Sequence, residues 1–239
     1  MSAEKSHLVS LLRRYVEVRV PKMATVGIVG GTGPAGRGVA VRLAAGGHDV
    51  ILGSREASRA AEVAGTLQGL GTGRVSGAGN DVAAAADVVV VATPWDSAVA
   101  SARALRDALA GKVVISMVNA LQREGRELVP LYPPRGSMAA QIAAALPDSR
   151  VVGAFHHLPA AEMGDLNSGL EADVVIFGDD APALEIVSSL ISDMPGLRPI
   201  IAGSMSLAAP IESFTAVCIS INIRHKVHSY VRLAGMGEG

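Results

Sequence analysis

The sequence has few of the residues that mark secreted, nucleic-acid-binding or membrane-spanning proteins. Its 239 residues include one cysteine, Cys218, which excludes an internal disulfide and is typical of a reducing compartment. The 21 basic and 22 acidic residues nearly cancel, so no overall field attracts nucleic acid or an anionic membrane. No continuous apolar run reaches the roughly 18 residues of a membrane span, and the N-terminus has no secretory pattern. These absences predict a soluble, cytoplasmic protein.

Glycine is abundant, with 27 residues, and three glycines form the motif around which the chain is organised. The apolar run 25–29 predicts a buried strand, and the alternating stretch 39–44 predicts a helix. Between them lies a G-x-G-x-x-G motif, Gly31-Thr32-Gly33-Pro34-Ala35-Gly36. In this context Gly31 permits a tight turn, Gly33 lets the backbone approach a pyrophosphate, and Gly36 lets the helix pack close to the strand. The helix start then offers N–H groups to phosphates, so the motif predicts a dinucleotide site.

The end of the second predicted strand, 49–52, indicates which dinucleotide binds. It lies about 20 residues beyond the glycines, where an NAD-binding protein places an acidic residue on the ribose hydroxyls. This sequence has Ser54 and Arg55 there, with Arg59 one helical turn further on. An acidic residue would repel a 2′-phosphate, whereas two arginines and a serine hold it by charge-assisted hydrogen bonds. The alternative is two solvated arginines at a helix start; the pattern favours NADP(H).

Strand and helix patterns alternate along the rest of the chain. The β-branched run 87–92 is typical of a strand buried on both faces of a parallel sheet. Further strands are predicted at 112–116, 151–155 and 173–178. This alternation predicts an α/β fold, a Rossmann-type doubly wound parallel sheet with a small C-terminal domain ending in a long helix. Ligands of such sheets bind at the carboxyl ends of the strands, so one crevice should contain Gly31-Thr32, Ser54-Arg55, Thr93-Pro94-Trp95, Ser116-Met117 and Phe155-His156.

The remaining segments predict helices and one short strand. We expect a helix from Arg59 to about Leu67, a strand at 74–76, and a short helix through Ala86 capped by Asn80-Asp81. Further helices are predicted from Trp95 to about Leu109, over 138–146, over 182–194, and from Pro210 to about Leu233. Apolar residues recur in the last of these at helical spacing, namely Ile211, Phe214, Val217, Cys218 and Ile221.

Three regions are expected from this pattern. Residues 1–22 form an N-terminal extension of unknown role, in which Leu8, Leu11, Leu12 and Tyr15 could form one face of a short helix. Residues 23–155 form the NADP-binding Rossmann domain. Residues 156–239 form the small C-terminal domain, which completes a second site.

Five motifs in a fixed order identify a family. They are Gly30-Gly31-Thr32-Gly33 with Gly36, Gly53-Ser54-Arg55, Thr93-Pro94-Trp95, Phe155-His156-His157-Leu158-Pro159-Ala160-Ala161 and Glu212-Ser213-Phe214-Thr215. Together they resemble the NADPH-dependent coenzyme F420 reductases, also called F420H2:NADP oxidoreductases, from about residue 23 to beyond residue 215. The resemblance implies direct hydride transfer between NADP(H) and the 5-deazaflavin coenzyme F420, stacked face to face in the cleft between the two domains.

The resemblance also implies roles for individual residues. On the nucleotide side, Thr32 matches the phosphate-loop threonine, and Ser54 and Arg55 match the pair that holds the 2′-phosphate. Arg59 matches a nearby basic residue, and Thr93-Pro94-Trp95 matches the segment beside the nicotinamide. Gly31, Gly33, Pro34 and Ala35 complete the predicted cofactor-binding loop.

On the deazaflavin side, His156, Leu158, Ser213 and Thr215 match the family's contacts, and the loop 116–119 matches one that touches the ring. Two features depart from the family pattern. Asn119 stands where an apolar residue is expected, and the segment 224–228 is more basic and less glycine-rich.

No catalytic side chain is predicted, because the two cofactors carry the electrons and the protein supplies alignment and exclusion of water. His156 is the candidate to stabilise charge on the deazaflavin ring; alternatively, it satisfies a loop carbonyl. Gly30, Gly31, Ala92 and Gly153 suit close stacking. His156 and His157 have no third ligand at a suitable spacing, so no metal site is predicted.

Several alternatives remain open from the sequence. The chain could be an NADP-dependent reductase of another small substrate, such as a cyclic imine, or a non-catalytic NADP(H)-sensing module. Trp95 could line the nicotinamide site or pack at a helix start. Ser213 and Thr215, two residues apart, do not share a helix face, so one could contact the ligand while the other packs. The apolar face of the last helix indicates a homodimer.

Overall fold

The computed structural model describes residues 23–236, and the predicted extension 1–22 with its helix lies outside this range. One eight-stranded sheet forms the centre of the molecule, with strand order β10-β9-β8-β5-β4-β1-β2-β3, and a separate hairpin pairs β6 with β7. The strands are β1 Thr25–Val29, β2 Asp49–Ser54, β3 Val75–Gly79, β4 Val88–Val91, β5 Val113–Ser116, β6 Leu121–Glu124, β7 Glu127–Pro130, β8 Arg150–Gly153, β9 Ala172–Gly178 and β10 Leu197–Gly203.

Nine α-helices surround the sheet within residues 23–236. They are α1 Pro34–Ala45, α2 Ala57–Gly65, α3 Asn80–Ala84, α4 Trp95–Ala104, α5 Arg106–Leu109, α6 Met138–Ala145, α7 Ala160–Gly164, α8 Ala181–Ser192 and α9 Ala208–His225. Most agree with the sequence patterns to within a few residues. The single helix expected from Trp95 to Leu109 is wrong, because the chain breaks at Leu105 into α4 and α5.

The central strands are parallel and buried on both faces, as the continuous β-branched run predicts. All four residues of β4, Val88–Val91, are buried, and β4 pairs in parallel with β1 on one side and β5 on the other. Their carboxyl ends therefore meet at one edge. Gly30 and Met117 directly follow β1 and β5, and Thr93 lies two residues beyond the end of β4. This confirms the α/β, Rossmann-type fold and places the predicted motif tips together.

The C-terminal part of the sheet departs from the expected all-parallel arrangement. Strand β9 runs antiparallel to β8, and β10 runs parallel to β9. Strand β10 and the β6–β7 hairpin are absent from the sequence-based prediction, because neither has a continuous apolar run or strict alternation. Residues 172–203 thus extend the same sheet that residues 25–153 begin.

The last helix is shorter than predicted. It ends at His225 rather than near Leu233, because Lys226 adopts a left-handed conformation (φ 54°). The side-chain oxygen of Asn222 then accepts hydrogen bonds from the backbone N–H and the hydroxyl of Ser229. The chain turns back across the sheet, where the backbone N–H of Leu233 donates to the carboxylate of Asp173.

A buried carboxylate joins α9 to α6. The two oxygens of Glu212 accept from the backbone N–H groups of Met138 (2.7 Å) and Ala139 (2.8 Å), while Ser137 caps the next N–H, that of Ala140. Burial raises the pKa of Glu212 to about 7, against the two backbone hydrogen bonds, which lower it. The start of α6 is therefore fully hydrogen-bonded by α9 and its own cap.

Helix α9 with its preceding turn, Met205–His225, is long and apolar enough to cross a membrane by length and composition alone. The segment is not a continuous apolar run, since it contains Pro210, Glu212 and several hydroxyl and amide side chains. It packs against β7 and α6, and Glu212 is anchored at the start of α6.

Candidate functional site

The glycine motif forms the turn between β1 and α1, and each glycine has a distinct role. The N–H of Gly31 donates to the carbonyls of Ile28 and Gly53, both at 3.0 Å, and closes the turn. A Cβ on Gly36 would lie 2.7 Å from the Cα of Gly31, so α1 packs directly on the loop. A Cβ on Gly33 would meet nothing within 4 Å, which leaves its backbone open to a ligand.

Three helices begin beside this loop, and none has a side-chain hydrogen bond at its N-cap. The N-cap residues are Gly33 for α1, Glu56 for α2 and Pro94 for α4. Each start presents the positive end of a helix dipole and N–H groups without helical partners. Together they make this edge of the sheet attractive to a polyanionic ligand.

Ser54, Arg55 and Arg59 lie at the end of β2 and the start of α2. The Ser54 hydroxyl oxygen accepts from the backbone N–H of Glu56 at 3.2 Å, so its own hydrogen remains available to donate. Both arginines are exposed, and neither forms an ion pair with a carboxylate within residues 23–236. This combination fits the 2′-phosphate of NADP(H).

These groups line one open cavity of about 610 Å³, which we call the phosphate-loop cavity. Its opposite wall is the β4–α4 turn, where Trp95 is 41% exposed and the Thr93 hydroxyl is buried without a partner in the described residues. The predicted residues that it brings together are Thr32, Gly33, Pro34, Ala35, Ser54, Arg55, Arg59, Thr93, Pro94, Trp95 and Asn119. Gly31, which closes the turn, does not line this cavity.

A second, smaller cavity of about 280 Å³ adjoins the first, and we call it the histidine cavity. It is lined by the predicted residues Asn119, His156, Leu158 and Thr215, together with His157 and mainly apolar side chains. Ala35, Met117 and Asn119 line both cavities. The two spaces therefore share a wall at the carboxyl end of β5.

His156 is enclosed and uncharged at neutral pH. It is 4% exposed, and its ring stacks on Phe177 with centroids 5.4 Å apart and planes 17° apart. Burial, with a smaller contribution from the charge of His157, lowers the pKa of His156 to about 3. Its ring therefore offers neutral hydrogen-bonding groups and no positive charge.

His157 faces the other way. Its Nε2 lies 2.6 Å from the carbonyl oxygen of Ile211 in α9, and its ring meets Phe214 edge to face. Burial lowers the pKa of His157, and the bond to Ile211 raises it. His157 thus connects the loop after β8 to α9.

The structure separates Ser213 from the other predicted residues. Thr215 is buried beside His156, whereas Ser213 lines a groove between the β6–β7 hairpin and α9 and bonds the carbonyl of Pro210. The two side chains therefore lie on different sides of α9, as their spacing of two residues predicts. Gly153 is likewise not open to a ligand, because a Cβ there would lie 1.9 Å from the ring of Phe177.

Comparisons with known proteins identify the family of this chain. Residues 25–120 match the family described as NADP oxidoreductase coenzyme F420-dependent. F420-dependent NADP reductases from Methanocaldococcus jannaschii (31% identity, 84% of this chain, 93% of the relative) and Methanothermobacter thermautotrophicus (32%, 93% and 99%) are similar over most of their length. The chain belongs to the F420-dependent NADP reductase family.

A solved structure supports the same assignment. It is a candidate F420-dependent NADP reductase from Arthrobacter sp. FB24, which is 25% identical and superposes with a TM-score of 0.70 over 87% of this chain and 96% of that one. This chain therefore has the fold of that solved structure over most of its length.

The structure gives Asn80 a different role from the one that its sequence position predicts. It was predicted as part of a helix cap, but α3 has no side-chain cap, and the side-chain oxygen of Asn80 accepts from the N–H of Gly30 at 3.1 Å. Asn80 thereby holds the glycine turn of this reductase in place. A polar residue at the start of a short helix has the same pattern in either role, so the sequence alone does not separate them.

Proposed function

We propose that this chain transfers a hydride between NADP(H) and the deazaflavin coenzyme F420, with one cofactor in each cavity. The wall shared by the two cavities, formed by Ala35, Met117 and Asn119, is the observation that carries the proposal. These residues border both cavities where the two spaces adjoin. Two ring systems that meet at this junction can approach to the roughly 3–3.5 Å that direct transfer needs. Hydride donation and acceptance are the chemistry of the two cofactors.

The phosphate-loop cavity fits NADP(H). The uncapped starts of α1, α2 and α4 favour binding of the pyrophosphate and the 2′-phosphate. For the 2′-phosphate, Arg55 and Arg59 offer charged hydrogen-bond donors and Ser54 offers a neutral one. Thr93, Pro94 and Trp95 stand near the shared wall, where they hold and shield the nicotinamide end.

The histidine cavity fits a flat, largely apolar ring with polar edges. Leu158, Met163 and Val39 supply apolar surface, and Asn119, His156 and Thr215 supply polar groups. Its volume of about 280 Å³ is at the small end for ligand sites, so it suits the ring alone, with the side chain of the coenzyme leading outward. Ser213 does not reach this cavity, so its predicted contact with the coenzyme would need α9 to move.

The protein's part in the reaction is alignment and exclusion of water. The side chains of the shared wall set the distance between the two spaces, and the apolar lining keeps water from the reacting carbons. His156 stays uncharged over the working pH range, so it contributes polarity and shape to the wall. It does not act there as an acid.

The direct test is absorbance at the deazaflavin band after the purified protein is mixed with oxidised F420 and NADPH. We expect rapid bleaching with NADPH and much slower bleaching with NADH. Absence of bleaching despite tight NADPH binding, measured separately, would favour a reductase of another small substrate or a sensor of NADP(H).

We further propose a homodimer in the cytoplasm. The groove between the hairpin and α9, about 530 Å³ and here called the hairpin groove, has apolar side chains that are unusually exposed. Tyr132 is 66% exposed, Val217 48%, Phe214 46% and Ile221 42%. A second copy of the same surface would cover them in a symmetric contact. The single, buried Cys218 suits a reducing compartment.

A further inference from the structure

Three side chains form a closed hydrogen-bonded network at the wall shared by the cavities. Asn119 follows β5, His156 follows β8, and Thr215 lies on α9. The Oδ1 atom of Asn119 lies 3.0 Å from Nδ1 of His156 and 3.2 Å from the hydroxyl of Thr215. The Nδ2 atom of Asn119 lies 3.3 Å from the carbonyl oxygen of His156. The single hydroxyl hydrogen of Thr215 is shared between that carbonyl, at 3.1 Å, and Oδ1 of Asn119.

The carbonyl oxygen of His156 fixes the orientation of the Asn119 amide. A backbone carbonyl can only accept, so the atom that faces it must be the NH₂ group of Asn119. The other amide atom, Oδ1, can only accept, so Nδ1 of His156 must carry the hydrogen. His156 is therefore the Nδ1–H tautomer, with a bare Nε2.

The surroundings of Nε2 agree with this tautomer. That atom is buried and has no hydrogen-bond partner within residues 23–236. A hydrogen on Nε2 would be an unsatisfied buried donor and would leave two lone pairs facing each other between Nδ1 and Oδ1. His157 provides the opposite case, since its Nε2 must donate to the carbonyl of Ile211.

The network also holds a strained turn. Phe155, directly before His156, has a positive φ of 68° although it is a bulky, buried residue. Such residues adopt this conformation only where the surroundings enforce it. The contacts of the network to the carbonyl of His156, and the stacking of its ring on Phe177, lie directly beside this strained residue.

One amide hydrogen of Asn119 remains without a protein partner. Of the two hydrogens on Nδ2, one points to the carbonyl of His156, and no second acceptor lies within hydrogen-bond distance in the described residues. Asn119 is partly exposed and lines both cavities. A donor in that position can meet an oxygen on a ring held in either space.

We propose that Asn119 is a positioning and specificity-determining residue: it locks His156 as the Nδ1–H tautomer and presents its second amide hydrogen to a ring-bound carbonyl oxygen at the boundary of the two cavities. That carbonyl belongs either to the carboxamide of the nicotinamide or to the pyrimidine ring of the deazaflavin. The tautomer stands on this structure alone, whereas the carbonyl contact rests on the proposed function.

The first experiment is nitrogen NMR of the cofactor-free protein labelled with ¹⁵N-histidine, with His156 assigned by the signals lost in His156→Gln. We expect a protonated Nδ1 and a bare Nε2 for His156. His157 is the internal control and should show the reverse. A protonated Nε2 on His156 would overturn the tautomer assignment, whatever the enzyme does with its substrates.

Variants separate Asn119 from general packing. In Asn119→Leu the acceptor for Nδ1–H is lost, and we expect the signals of His156 to leave the Nδ1–H pattern. In the matched variant Thr215→Val the pattern should persist. An unchanged pattern in Asn119→Leu would overturn the positioning role.

Binding of each cofactor alone tests the remaining hydrogen. Asn119→Asp keeps an acceptor but has no amide hydrogen, so we expect about tenfold weaker binding of one cofactor, as for one lost hydrogen bond. Weaker binding of F420 assigns the contact to the deazaflavin, and weaker binding of NADPH assigns it to the nicotinamide. Unchanged binding of both would overturn the contact. Thermal denaturation identifies a variant that fails to fold. In that case the tautomer found by NMR in the wild-type protein decides whether the proposal stands.

Discussion

At the scale of single residues, the nucleotide end of the site depends on exposed charge. Arg55 and Arg59 have no carboxylate partner within the described chain, so nothing but solvent competes with a phosphate for them. The Ser54 hydroxyl is already oriented by the N–H of Glu56. In the proposed function, this arrangement favours NADP(H) over NAD(H) through the 2′-phosphate.

We therefore predict that Arg55→Ala weakens NADPH binding by about 1.5–3 kcal/mol, as expected for a hydrogen bond to a charged group. NADH lacks the 2′-phosphate, so its affinity should hardly change. Titration calorimetry or fluorescence with both nucleotides measures the difference. An equal loss for the two would show that Arg55 does not bind the 2′-phosphate.

His156 makes stability depend on pH. Its pKa falls from 6.5 to about 3 on folding, so the unfolded chain binds the proton more tightly between these values. The contribution of neutral His156 to the free energy of unfolding is therefore fully present above about pH 6.5, and it is lost as the pH falls below that value. We predict a loss of about 2 kcal/mol between pH 7.5 and pH 5 from this residue.

Chemical denaturation of the wild type and of His156→Gln at both pH values measures this effect. The variant should lose less stability on acidification by that amount. If both proteins respond to pH alike, the ring of His156 is either solvated or charged in the folded state.

At the scale of helices and strands, Arg42 connects elements that are distant in sequence. It is 2% exposed, and its guanidinium donates to the carbonyls of Glu162 (2.7 Å), Pro195 (2.8 Å), Asp165 (2.9 Å) and Met163 (3.2 Å) and to the hydroxyl of Ser168 (3.2 Å). One side chain on α1 thus fixes both the α7 segment and the turn before β10.

We predict that Arg42→Met lowers the free energy of unfolding by at least about 3 kcal/mol, because several buried carbonyls lose their donor at once. Arg103→Met is the matched control, on an exposed position of α4, and should change stability by less than about 0.5 kcal/mol. Urea denaturation of both variants compares them. Similar losses of stability in the two variants would mean that the carbonyls of the α7 segment accept hydrogen bonds from other donors.

At the scale of the whole molecule, the exposed face of α9 is the feature that a single chain leaves unexplained. Its buried residues are mostly small or polar, among them Ala208, Glu212, Thr215 and Ala216, while large apolar side chains face outward. An ordinary surface helix has the reverse distribution. A second copy would bury this face.

We predict that Val217→Glu abolishes the proposed dimer, because it places a charge among the exposed apolar side chains of the hairpin groove. Val82→Glu is the control, since Val82 on α3 is equally exposed (47%) but lies outside the hairpin groove. Analytical ultracentrifugation over a range of concentrations gives the masses. A monomeric wild type would remove the proposed contact.

The sequence by itself determined the nucleotide half of this protein. A strand, a glycine turn, a helix start and a serine–arginine pair are contiguous, local features, and local backbone sterics and charge decide what they form. The strands of the central sheet are equally predictable from the sequence, because burial on both faces requires a continuous β-branched run. Interactions between residues close in sequence are enough to determine the structure of such elements.

Only the tertiary structure decided the other half. The antiparallel turn into β9, the edge strand β10 and the hairpin depend on which strand lies beside which, and no local pattern encodes that choice. The same holds for Asn119, His156 and Thr215, which come from β5, β8 and α9 and meet only because the sheet brings the ends of those elements together. Their spacing of 37 and 59 residues carries no chemical signal until the chain is folded.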